Sequence, residues 1–208
     1  MLDRASCERR VYRLAVMLTG NPVAATHVIS AVVNSQPDLS HLDSAHMDRL
    51  TVLRSREIRP AALVHDEVPP RTAEAVSRLT PQQREAWVFG RVYRTPLREM
   101  SRAMDCSTTA AERHLLQADI ALRELTGHEP SIAAGQFLKC SLKLDVPEFY
   151  RAKQRLRRRI RRTLIWAAIA IATLLLALLA VWWSRPFDNR PERPSAGSQP
   201  QSQPATQP

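Results

Sequence analysis

Residues 79–123 read LTPQQREAWVFGRVYRTPLREMSRAMDCSTTAAERHLLQADIALR, and this stretch predicts a series of helices. TPQQ at 80–83 is a capping box with proline in the first turn, which marks the start of a helix. The dipeptide at 95–96, Thr-Pro, marks the start of a second and shorter helix. Apolar residues recur at helical spacing through both segments, so each helix is expected to pack one face into a core.

A tight connection at residues 104–107 separates the short helix from a longer one. Thr109 and Glu112 are spaced as a second capping box, and Gly127 is expected to end the helix. A short helix, a four-residue turn and a longer helix form a helix-turn-helix arrangement. We therefore predict an all-α fold in which residues 71–127 are a helix-turn-helix domain.

This segment resembles region four of bacterial sigma factors of the extracytoplasmic-function type, over about 45 residues without a gap. The match consists of Leu79-x-Pro-x-Gln-Arg-Glu, Leu97-Arg98-Glu99-Met100-Ser101, Ser107 and Leu122-Arg123. Residues 11–60 resemble region two of that family more weakly, mainly through LAVMLTGNPVAAT. The resemblance implies a two-domain helical protein that binds RNA polymerase and promoter DNA and that is open to control by a regulatory protein partner.

The early turns of the second motif helix, the recognition helix, carry the candidate DNA-binding residues. Side chains there can reach base edges in the major groove: they are Thr108, Thr109, Arg113, His114 and Gln117. Glu112 and Asp119 stand where the family usually has cations that grip phosphates. Two interpretations stay open, a DNA-binding helix pair and a membrane-anchored interaction module that keeps the fold but binds protein.

Residues 1–60 are interpreted as a degenerate region-two-like helical domain. The helix expected to face polymerase reads ATHVISAVV and lacks the acidic residues of the family. Tyr12 is the only aromatic residue before Trp87. Because melted bases are held by aromatic stacking, we expect this domain not to hold an open promoter.

Residues 163–183, TLIWAAIAIATLLLALLAVWW, predict one transmembrane helix. This stretch has 21 residues without charge, glycine or proline. As a helix it is about 31 Å long, which matches the hydrocarbon core of a bilayer. Tryptophan lies near both ends, where the membrane interface is expected.

The charge of the chain is concentrated just before this apolar stretch. The net charge is +10, and residues 151–162, RAKQRLRRRIRR, carry eight basic side chains and no acidic one. Since basic flanks stay cytoplasmic, we expect a single-pass protein of the cell inner membrane with its N-terminal part in the cytoplasm. An alternative role for this cluster is to bind anionic lipid headgroups. Setting the topology is enough to explain the cluster, and we favour that role.

The remaining segments complete the predicted division of the chain. Residues 61–70 follow Pro60 and end in Pro69 and Pro70, and they are predicted to be a linker. Residues 128–162 are predicted to be a helical, basic juxtamembrane segment. The tail, residues 184–208, is rich in Pro, Gln and Ser and is expected to be disordered and to lie on the outer side of the membrane.

Enzymatic chemistry has little support in the sequence. The five glycines are scattered, so they cannot form a phosphate loop or a dinucleotide-binding turn. The three cysteines and six histidines lack metal-binding spacing. We therefore expect a protein that is not an enzyme and that uses no cofactor and no metal.

Overall fold

The computed structural model describes residues 3–36 and 43–184, so residues 185–208 of the predicted disordered tail lie outside the described part of the chain. The described residues are helical and confirm the all-α prediction. The helices are α1 (Arg4–Thr19), α2 (Pro22–Ser35), α3 (Ser44–Ser55), α4 (Pro70–Arg78), α5 (Pro81–Trp87), α6 (Leu97–Met104), α7 (Thr108–Thr126), α8 (Pro130–Lys143) and α9 (Glu148–Ser184). A π-helical turn, Val88–Val92, continues α5.

The sequence punctuation sets the boundary between α1 and α2. Gly20 ends α1 with φ of +67°, in the left-handed region that glycine adopts without steric cost. Asn21 then caps α2, because its side chain accepts hydrogen bonds from the backbone N–H groups of Val23 at 2.9 Å and Ala24 at 3.2 Å. Pro22 occupies the first helical position, as predicted from the sequence.

Contacts divide the chain into two units, Met1–Lys153 and Gln154–Pro208. In the first unit, α1 packs against α2 and α3, α3 packs against α6, and α5 and α6 both pack against α7. One hydrophobic core runs through these helices and α8, and the rings of Trp87 and Phe137 meet edge to face at 5.2 Å. The connection between α3 and α4 contributes Leu63 and Val68 to this core. The predicted domain boundaries stay predictions.

An ion pair between the buried Glu85 carboxylate and the partly exposed Arg56 guanidinium joins three helices of the first unit. The Arg56 guanidinium donates two hydrogen bonds to the Glu85 carboxylate, at 2.8 and 2.7 Å, and a third to the Met104 carbonyl at 3.0 Å. Burial raises the pKa of Glu85, although Arg56 opposes this shift. The pair links the end of α3 to α5 and to the last turn of α6.

The second unit holds the apolar part of α9. Residues Thr163–Ala180 have a mean hydropathy of 2.5, and none of this stretch is buried within the protein. Among the described residues this is the one helix long and apolar enough to cross a membrane. The orientation of the span and the identity of the membrane stay expectations.

Candidate nucleic-acid interface

Three residues, Asp105 to Ser107, form a tight turn between α6 and α7. Asp105 ends α6 in the left-handed region with φ of +58°, which aspartate adopts more readily than most residues. The Cys106 N–H then donates to the Ser101 carbonyl at 3.0 Å. Ser107 caps α7, because its hydroxyl accepts the Ala110 N–H at 3.1 Å.

The structure corrects the capping residue predicted for α7 and confirms the capping box predicted for α5. The capping box predicted at Thr109 and Glu112 is wrong, since Ser107 stands nearer the turn and takes the capping position, so that α7 starts at Thr108. The capping box of α5 is confirmed: Thr80 and Gln83 exchange side-chain and backbone hydrogen bonds at 3.1 and 3.3 Å.

The buried face of α7 is narrow. Ala111, Ala118 and Leu122 are fully buried and lie on one side of the helix at spacings of seven and four residues. Helices α4, α5 and α6 pack against α7, so its opposite side faces solvent.

The predicted DNA-binding residues fall into two groups. Thr108, Thr109, Arg113 and Gln117 are exposed, and the last three share one stripe of α7 because they are spaced four apart. His114 is half-buried and lies close enough to Glu85 to act on that carboxylate electrostatically. The structure therefore brings four of the five side chains to the solvent side and leaves His114 at the edge of the core.

Asp119 is less of an obstacle to an anionic ligand than its sequence position indicates. Arg91 forms an ion pair with its carboxylate, with Arg91 Nε donating to Asp119 Oδ2 at 3.0 Å. Asp105 has a partner as well, since Arg49 lies 3.0 Å from its carboxylate. Two of the acidic side chains around the motif are thus neutralised by arginines from outside it.

Sequence reasoning missed three exposed arginines, Arg94, Arg98 and Arg102, on α6 and the segment before it. None of them forms an ion pair with another residue in the described part of the chain. Arg98 and Arg102 are four apart and share one face of α6, a spacing that was readable in the sequence. In DNA-binding helix-turn-helix proteins the first helix crosses the phosphate backbone, where cations contact phosphates.

The exposed side of α7 also carries an apolar pair. Leu116 is 56% exposed and Ile120 is 58% exposed, and their spacing of four places them next to each other. Glu112 precedes them on the same stripe. The outer surface of α7 therefore combines a polar stripe, Thr109–Arg113–Gln117, with an apolar one, Glu112–Leu116–Ile120.

The first helices offer no exposed aromatic platform. Tyr12 is 2% exposed and belongs to the core of the first unit. Unpaired bases stack on exposed rings, so Tyr12 is not available to hold them.

The described residues include no candidate metal site, and two of their cysteines are buried. No group of three or more His, Cys, Asp or Glu side chains lies together there. Cys7 and Cys140 are buried free thiols, and burial raises the pKa of Cys140 to about 11, which keeps it protonated and unreactive near neutral pH.

Comparisons of the chain with protein-family models, with curated proteins and with solved structures found no match.

Proposed function

We propose that this chain is a membrane-anchored, sigma-factor-like protein whose helix-turn-helix binds duplex DNA and regulates transcription initiation with RNA polymerase. One observation carries the proposal: four exposed arginines without carboxylate partners in the described residues, Arg94, Arg98, Arg102 and Arg113, lie on the two motif helices and the segment before them. Phosphate contacts from such cations supply most of the non-specific affinity for DNA.

In this proposal, α6 contacts the DNA backbone and α7 contacts the bases. Arg98 and Arg102 on α6 are placed to contact phosphates, and Thr109, Arg113 and Gln117 on α7 to reach base edges. Glu99, Glu112 and Glu124, which have no ion-pair partner among the described residues, oppose this charge. We therefore expect affinity in the range of about 10⁻⁴ to 10⁻⁶ M on random duplex DNA.

The buried position of Tyr12 narrows the role further. A protein without an exposed aromatic platform in its first helices is not equipped to keep promoter DNA open. We infer that it acts on initiation by occupying DNA or polymerase near the membrane, while promoter melting is left to other proteins.

The test is a salt titration of DNA binding by the detergent-solubilised full chain, followed by fluorescence anisotropy. Arg113→Ala is expected to weaken binding and to reduce the slope of log K against log salt by about 1, and the Arg98→Ala, Arg102→Ala pair by about 2. Glu112→Lys is expected to strengthen binding and steepen the slope, because Glu112 has no ion-pair partner among the described residues.

Arg71→Ala is the matched control, since Arg71 is an exposed arginine of α4 outside the motif. It should lower affinity less than Arg113→Ala and leave the slope nearly unchanged. Equal effects of Arg71→Ala and Arg113→Ala would place the DNA on another surface.

The apolar pair on α7 supports a second candidate function, a membrane-anchored module that binds a protein. Leu116 and Ile120 together form an exposed apolar contact of the kind that partner helices use, whereas DNA backbone contacts do not require it. In this alternative, α7 faces a regulatory partner or polymerase and no DNA.

Affinity purification of the full chain from detergent extract separates the two candidates. Leu116→Gln with Ile120→Gln should release a protein partner while DNA affinity stays within about twofold, and Val64→Gln, at a 91% exposed position away from the motif, should change neither. If the double variant keeps every partner of the wild type, the protein-binding alternative fails.

A further inference from the structure

A cavity of about 170 Å³ lies between the ends of α1 and α3, the turn after α3, and the first turns of α5. Ser55, Arg59 and Arg84 line it, together with the Arg56–Glu85 ion pair. All of these residues belong to the first unit. The volume is well below the roughly 300–1,000 Å³ of pockets for drug-sized ligands, so the cavity suits a small ion or a single polar group.

The charges around the cavity do not cancel. Glu85 is held by Arg56 at 2.7 Å, and Glu57 pairs with Arg54 at 3.1 Å. Arg59 and Arg84 have no carboxylate partner among the described residues. The lining therefore carries three arginines against two glutamates, and two of its arginines have no direct ion pair among the described residues.

Arg84 differs from Arg59 in being buried, since it is only 6% exposed. Its guanidinium has five N–H donors, yet in the described part of the chain the side chain makes one hydrogen bond, from Nη1 to the Ser77 carbonyl at 3.4 Å. Burial lowers the pKa of Arg84, with Glu85 opposing the shift. A buried cation with so few hydrogen bonds costs free energy unless an anion accompanies it.

Ser55 supplies a second group without a partner. Its Oγ atom is buried and has no hydrogen bond within the described residues. Buried hydroxyls in proteins are normally hydrogen-bonded, so an unpartnered one on a residue that lines the cavity is a candidate to bind a polar group there.

We propose that this cavity is a binding site for a small oxyanion of the phosphate class. Its oxygens would accept hydrogen bonds from the Arg84 guanidinium and the Ser55 hydroxyl, and Arg59, which is exposed, would add positive charge. A bound oxyanion would satisfy both orphaned groups at once and connect α3 to α5. The proposal is independent of DNA binding by α6 and α7.

The experiment compares inorganic phosphate with chloride at equal ionic strength and pH, using the detergent-solubilised full chain. Thermal unfolding of the wild type should shift upward with phosphate in a saturable manner, since a ligand that binds only the folded state stabilises it. Calorimetric titration with phosphate should give the same dissociation constant as the thermal shift.

Three variants make the test specific. Arg84→Met should abolish the phosphate response and be at least as stable as the wild type in chloride, because it removes a buried cation that has no direct ion pair among the described residues. Ser55→Ala should weaken phosphate binding about tenfold by removing one hydrogen bond to a charged group. Arg71→Met, at an exposed arginine of α4, should keep the full response.

Two results would overturn the proposal. One is a wild-type midpoint that is the same in phosphate and chloride. The other is an equal phosphate response in Arg84→Met and Arg71→Met. If Arg84→Met does not fold, Ser55→Ala decides the question, and unchanged phosphate affinity in that variant excludes this cavity as the site.

Discussion

Gly20 and Gly127 hold the same backbone conformation in different surroundings. Both end a helix in the left-handed region, with φ of +67° and +71°. A Cβ at Gly20 would lie 1.8 Å from the Ala61 carbonyl oxygen, whereas a Cβ at Gly127 would have no atom within 4 Å. The Ala61 N–H also donates to the Thr19 carbonyl at 2.9 Å, which fixes the connection against the end of α1.

We expect Gly20→Ala to destabilise the first unit much more than Gly127→Ala. At Gly127 only the conformational cost of about 1–2 kcal/mol applies. At Gly20 the backbone clash adds to that cost, so the loss should exceed about 3 kcal/mol. Denaturant unfolding of the solubilised full chain, followed by circular dichroism, measures both. Similar losses for the two variants would show that the connection moves aside freely.

The residues that the sequence identified correctly act on near neighbours. Asn21 and Thr80 cap helices through backbone groups two or three positions away, so their roles could be read from a short window. Arg56 and Glu85 are 29 positions apart, and Arg91 and Asp119 are 28 apart. Such partners are set by tertiary packing, which no local pattern encodes.

At the scale of helices, Tyr93 secures the docking of α8. Its hydroxyl shares a hydrogen bond of 2.9 Å with the Ser141 hydroxyl, and burial raises its pKa to about 12. Tyr93→Phe leaves the buried Ser141 without this partner, so we expect a loss of about 1–3 kcal/mol near neutral pH. Denaturant unfolding of wild type and variant gives this difference.

The same hydrogen bond has a consequence in alkaline solution. Tyrosine in the unfolded chain has its ordinary pKa of about 10, while folded Tyr93 titrates at about 12. The unfolded state thus loses the proton first, and wild-type stability falls as pH rises from 10 towards 12. The difference in unfolding free energy between the wild type and Tyr93→Phe should shrink across this window, because only the wild type loses the contribution of Tyr93. Tyr12 is present in both proteins, so its contribution cancels. An advantage that stays constant between about pH 9 and 12 would contradict this assignment.

Helix starts were more predictable than helix continuations. Proline and capping residues predicted the starts of α2, α5 and α7, although α7 is capped by Ser107 and not by Thr109. The π-helical turn at Val88–Val92 has no such marker, since its wider hydrogen bonds follow from the packing of neighbouring helices.

At the scale of the whole molecule, the apolar part of α9 differs from all core helices in being exposed around its full circumference. We expect deletion of residues 163–183 to release the protein into the soluble fraction. Deletion of residues 185–208 is the control and should leave the protein with the membrane. Ultracentrifugation of cell lysate in high salt measures both, because salt removes attachment by residues 151–162 alone. A truncated protein that still sediments with membranes would show a different anchor.

The sequence predicted the helical class and the long apolar helix because both follow from long, uninterrupted patterns of residues. The candidate interface depends on which arginines are left without carboxylate partners. Arg94 and Arg102 could be recognised as unpaired only once the ion pairs of Asp105 and Asp119 were known. For this reason the sequence located the motif helices but underestimated their free positive charge.

The Arg56–Glu85 pair constrains how this chain can evolve. Loss of Arg56 alone would leave the buried Glu85 carboxylate without its ion-pair partner. Loss of Glu85 alone would remove the carboxylate that interacts with the buried Arg84 as well as with Arg56. Neither position can therefore drift by itself at a small cost. Descendant lineages should retain both charges or exchange both for apolar residues of similar volume, so that positions 56 and 85 change together.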